Sequence, residues 1–86
     1  QYAALVHMLA QVSGLEAGEL VHVIADAHIY DRHVPVVEEL ISRTPYEAPG
    51  LWLDRSITDF YAFTKTSLKL EGYRFHTLDQ PIPVAV

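Results

Sequence analysis

The stretch Val21-His22-Val23-Ile24-Ala25-Asp26-Ala27-His28-Ile29-Tyr30-Asp31-Arg32-His33 constrains this chain more than any other. It opens as a β-branched run and closes in a dense set of hydrogen-bonding side chains. Side chains of an extended strand alternate between two faces. One face then carries Val21, Val23, Ala25, Ala27 and Ile29, all apolar. The other carries His22, Ile24, Asp26, His28 and Tyr30, of which only Ile24 is apolar. This pattern predicts a strand over about residues 20–27. Solvated strand faces usually carry Lys, Glu and Thr. An Asp, a His and a Tyr set two residues apart suit a ligand that offers hydroxyls and a heterocycle. A β-bulge would break the parity on which that shared face rests.

A chain of 86 residues is one small domain or a piece of a larger one. At this length folding hides only roughly 60–65% of the surface of the unfolded chain, so the core is marginal. Six Lys and Arg stand against eleven Asp and Glu, a net charge of −5. An acidic chain without a Lys/Arg stripe argues against nucleic-acid binding. With no cysteine, the chain holds no disulfide, thiolate ligand or thiol nucleophile, which is compatible with a cytoplasmic setting. No apolar run reaches membrane-spanning length, and no signal-peptide layout opens the chain. Gln1-Tyr2 enters directly into an amphipathic pattern, and the expectation is an N-terminal truncation. The far end, Pro81-Ile82-Pro83-Val84-Ala85-Val86, is apolar and proline-stiffened, and is expected to dock.

Tyr2, Leu5, Val6, Leu9 and Val12 recur at the spacing of one helical face, which predicts a helix over 1–13 ended by Gly14. A second helix is expected over about 33–42, with Pro35 in its first turn and Val34, Val37, Leu40 and Ile41 as its buried stripe. Glu39 and Arg43 stand one turn apart and can pair, and Thr44-Pro45 ends the helix. Leu51-Trp52-Leu53 reads as a short strand and Asp54 to Ser56 as a turn. Ile57 to Phe63 reads as a short helical or irregular packed segment. Ser67 to Tyr73 reads as a last strand, ended by Gly72. His33 is read as a cap or support of the second helix. No repeat or linker divides the chain.

Several of these segments together resemble thymidylate synthase. Gln1-Tyr2, His7-Met8-Leu9-Ala10-Gln11-Val12-Ser13-Gly14 and Gly18-Glu19 are similar to a late helix of that family and its exit. Ala25-Asp26-Ala27-His28-Ile29-Tyr30-Asp31-Arg32-His33 resembles its Gly-Asp-x-His-x-Tyr-x-x-His segment, with Ala25 where the family often has glycine. Ile41-Ser42-Arg43-Thr44-Pro45 looks like the end of the next helix. Leu70-Glu71-Gly72-Tyr73 and Val84-Ala85-Val86 look like the closing strand and the tail. The resemblance covers the whole chain, in order, and is to the last third of the enzyme. The family's Pro-Cys nucleophile, phosphate-binding arginines, catalytic glutamate and pyrimidine-reading asparagine belong upstream of such a segment.

The resemblance implies an α+β segment, residues 1–86 as one unit, in the order helix, strand, helix, strand, short helix, strand. It implies that His28 and Tyr30 hydrogen-bond the deoxyribose 3′-hydroxyl of dUMP, with Ile29 and Asp26 in support. It implies that Ala85 and Val86 fold over the co-substrate 5,10-methylenetetrahydrofolate. The family reaction adds a cysteine thiolate to C6 of dUMP; C5 then takes the folate's methylene, and hydride transfer gives dTMP and dihydrofolate. This chain would supply sugar recognition and closure of the site, and alone would be inactive for want of the nucleophile. The intact enzyme is expected to be a cytoplasmic homodimer pairing through the strand at 20–27, with no metal, nucleic acid or membrane. Read from the residues alone, His28 is more readily a satisfied core histidine than a ligand contact, and Asp26 is equally a turn-capping carboxylate. Two other readings stand beside the family: a non-catalytic interaction module, and a metal-binding domain built on His22, His28 and His33.

Overall fold

The helix predicted from apolar spacing is α1, Tyr2–Ser13. Gly14 ends it with φ 68° and ψ 25°, and the N–H groups of Gly14 and Leu15 return to Gln11 and Ala10. That left-handed turn is strained for any residue with a Cβ. The computed structural model describes residues 1–84. They form two compact units, one from residues 1–22 and 48–73, the other from 23–47 and 74 onward.

In the first unit, β1 (Gly50–Leu53) and β2 (Leu68–Glu71) pair antiparallel, Leu51 opposite Leu70 and Leu53 opposite Leu68. Trp52 faces Lys69 across the pair, and the Lys69 ammonium lies 5.0 Å from the Trp52 ring centre. Gly72, with φ 68°, turns the chain out of β2. The connection between the strands is closed by its own polar groups. Asp54 accepts from the N–H and hydroxyl of Ser56, and these bonds hold its carboxyl below the usual range. Asp59 caps a short 3-10 turn, Phe60–Ala62. Thr64 and Ser67 exchange backbone and hydroxyl hydrogen bonds, and the Ser67 carbonyl accepts from the Asp54 N–H at 2.9 Å. Ser67 is accordingly buried, at 5% exposure. Helix α1 is fastened to this connection by Gln11, whose amide donates to the carbonyls of Asp54 at 2.9 Å and Ile57 at 3.0 Å.

In the second unit a 3-10 turn, Asp31–His33, leads into α2, Val34–Ile41, with Pro35 in its first turn. The Arg43 guanidinium pairs with Glu39 one turn back, as the spacing predicts. The expected buried stripe is corrected. Val34, Leu40 and Ile41 are exposed, Val37 is half-buried, and Val36, at 5% exposure, is the buried residue of this helix. A helical apolar stripe marks which face can be covered; it does not supply the cover.

The expected strand at 20–27 is also corrected. These residues run without a ladder, Ala25 and Asp26 form a turn, and the sheet of the described residues consists of β1 and β2 alone. Alternation defines two faces, but a strand also needs a neighbouring backbone to receive its N–H and C=O groups. Without one, Val21 and Val23 stand exposed, Val23 at 82%. The α+β class and the remaining order of elements stand. No helix among the described residues is long and apolar enough to cross a membrane.

Candidate functional site

The polar end of the 21–33 stretch lies wholly in the second unit. After the turn at Ala25-Asp26 the chain extends through Tyr30 and then coils. The His33 N–H closes that coil by donating to the Tyr30 carbonyl at 2.8 Å. The consequence is a ladder of three rings. His28 and Tyr30 meet edge to face, with centroids 5.1 Å apart and planes at 87°. Tyr30 and His33 meet in the same way, at 5.7 Å and 87°. The pair singled out from sequence, two positions apart, therefore lies side by side although no strand carries it.

His28 is oriented by its own turn. Its Nδ1 lies 3.2 Å from the Asp26 carbonyl oxygen and 3.7 Å from Asp26 Oδ1. In the tautomer that donates from Nδ1, Nε2 is left as an acceptor. The His28 side chain is 54% exposed and Tyr30 is exposed beside it, so an acceptor nitrogen and a phenolic hydroxyl are both open to a ligand. A hydroxyl placed between them can donate to one and accept from the other. Of the two residues expected to support the pair, Asp26 offers His28 its backbone carbonyl, its carboxylate being 96% exposed, and Ile29 is exposed between His28 and Tyr30. Ala85 and Val86 lie outside the described residues.

The three histidines of the metal-binding reading divide between the two units, and His28 and His33 both pack on Tyr30 in the second. His22 belongs to the first unit, where its ring lies 5.4 Å from that of Tyr2. Among the described residues no three His, Cys, Asp or Glu side chains come together as a metal ion would require.

His33 is the residue that sequence reasoning undervalued. It occupies the position before α2 but makes no side-chain capping bond. Its Nε2 instead reaches the Pro83 carbonyl at 2.8 Å, across fifty positions of sequence. Two more such ties hold the same C-terminal stretch: Arg43 donates to the Thr77 carbonyl at 2.8 Å, and His76 Nε2 lies 3.2 Å from the Thr44 carbonyl. His76, exposed in the loop after β2, also stacks on Tyr46 at 4.4 Å, and the Arg74 guanidinium lies 4.4 Å from the same ring. The available signal was the last histidine of the His28-x-Tyr30-x-x-His33 pattern, which a purely helical role did not require.

A family model for thymidylate synthase matches residues 1–86. A thymidylate synthase of Clostridium beijerinckii is 49% identical over 78 residues, which are 88% of this chain and 30% of that protein. The solved structure of thermostable thymidylate synthase A from Bacillus subtilis superposes with a TM-score of 0.88 at 40% identity, covering 99% of this chain and 30% of that one. The chain thus spans about a third of the length of these relatives. A match along its whole length, in sequence and in fold, means that the chain belongs to the thymidylate synthase family.

Proposed function

We propose that residues 1–86 serve, as a single segment, in the C-terminal part of a thymidylate synthase, the methyltransferase that converts dUMP to dTMP with 5,10-methylenetetrahydrofolate. His28 and Tyr30 bind the 3′-hydroxyl of the deoxyribose. Asp26 sets the His28 ring and Ile29 spaces the two readers. Ala85 and Val86 close over the folate and exclude water from the reacting carbons. The nucleophile comes from outside this segment, which has no cysteine. The working enzyme is a cytoplasmic homodimer whose subunits meet through residues 20–27, where Val21 and Val23 present uncovered apolar surface.

One observation carries the sugar-binding reading: an imidazole and a phenol, both exposed, lie edge to face at 5.1 Å, with the imidazole held by the turn before it. A site built to pair with a hydroxyl discriminates strongly against ligands that lack it. The test is His28→Ala in the enzyme that carries this segment, with dUMP binding followed by calorimetry. The dissociation constant is expected to rise about tenfold with the melting temperature little changed. A nucleotide affinity equal to that of the parent enzyme would remove His28 from the site.

A further inference from the structure

Residues 74–84 form no helix or strand, yet they follow a defined path. They are fastened at one end of α2 by the Arg43 and Thr44 ties to Thr77 and His76, and at the other end by the His33 tie to Pro83. The lengths agree. His33 to Arg43 spans about 15 Å at 1.5 Å per helical residue. Thr77 to Pro83 covers at most about 20 Å when extended. Pro81 and Pro83 offer carbonyls but no N–H groups, and their fixed φ angles leave less freedom to lose on docking. The strap therefore runs antiparallel to α2, and His33 is its last side-chain tie among the described residues before Ala85 and Val86. The same His33 ring is packed edge-on against Tyr30.

We propose that His33 is a positioning residue that ties the C-terminal strap at Pro83 and so sets where the folate-covering end begins. This rests on the reading of Ala85 and Val86 as the folate cover. His33 is assigned no substrate contact. It acts on the folate side through the strap, while Tyr30, against which it packs, acts on the nucleotide side.

The test uses the intact enzyme carrying this segment, with His33→Ala and His33→Gln. The glutamine amide can still donate to the Pro83 carbonyl. For His33→Ala the KM for methylenetetrahydrofolate is expected to rise about fivefold, the loss of one solvent-accessible hydrogen bond, with dUMP affinity within about twofold of the parent. His33→Gln is expected to restore most of the folate KM. A general loss of packing would move both ligands together and would not be rescued. A second measurement applies even if His33→Ala melts early. Tetrahydrofolate binding to the enzyme–dUMP complex is compared for His33 and His33→Gln, each with and without removal of Ala85 and Val86. In His33→Gln the small residual effect is expected to disappear once the two residues are gone. An unchanged folate KM in His33→Ala, equal loss of nucleotide and folate, or an effect of the same size in the shortened enzyme would each overturn the proposal. Its failure is distinct from that of the sugar-site reading: His28→Ala is read on dUMP, His33→Ala on folate.

Discussion

The two units of this chain are held by different means. In the first, α1 and the β1–β2 pair supply most of their own backbone partners, and side chains finish what the ladders leave open: Gln11 on two carbonyls, Ser67 on one N–H. In the second, α2 is the only helix longer than a single turn among the described residues, and the extended chain beside it is held by side chains and carbonyls 32 to 50 positions apart. The readers of the proposed nucleotide site, His28 and Tyr30, lie in this second, side-chain-tied unit. Backbone ladders fix a scaffold and tolerate surface change. Side-chain ties can be released singly, which suits a segment proposed to settle after ligands arrive.

The largest effect that would sharpen this contrast is expected in the first unit. Gln11→Leu strips two partners from the connection between the strands and should cost about 2 kcal/mol in urea unfolding, with dUMP affinity unchanged. If nucleotide binding fell with it, the separation of scaffold from site would break. Gly72→Ala comes next. Its φ of 68° is unfavourable for alanine by about 1–2 kcal/mol, again measured as stability with the site intact. Arg43→Met keeps the apolar stem of the side chain but removes the tie to Thr77 and the pair with Glu39. Stability should fall by about 1 kcal/mol or less, while proteolytic cleavage within residues 77–84 should speed up. Equal protection of that stretch in the two proteins would show the tie to be idle. The smallest effect is electrostatic. Hydrogen bonds from Ser56 lower the Asp54 pKa in the folded chain, so this carboxylate favours folding above the ordinary aspartate pKa. That contribution fades as pH falls through the lowered value. Asp54→Asn should lower stability slightly at neutral pH, flatten this acid-side slope and converge with the parent at low pH.

What could be read from sequence divides along the same line. Local structure was legible wherever neighbours in sequence decide it. Apolar spacing and Gly14 gave α1, Asp54 with Ser56 gave a turn, and Gly72 gave the end of β2. Side-by-side placement of His28 and Tyr30 was legible too, though through an extended segment and a turn in place of a strand. The strand at 20–27 was not, because pairing depends on a second backbone that alternation cannot announce. The stripe on α2 failed for the same reason: Val34, Leu40 and Ile41 have the right spacing and no cover among the described residues, while Val36 has cover and lay outside the stripe. The ties to Thr77, Thr44 and Pro83 were invisible because their acceptors are backbone carbonyls, which every residue carries.

The hydroxyl knot of Thr64 and Ser67 bears on where such a chain can change length over evolution. Ser67 faces two ways, receiving the Thr64 N–H on its hydroxyl and the Asp54 N–H on its carbonyl. One extra residue between Thr64 and Ser67 would pull these contacts out of phase and unfasten the open end of the strand pair. The Thr64–Ser67 turn is thus a poor place for insertions, and its length is a fixed dimension of the strand pair it closes.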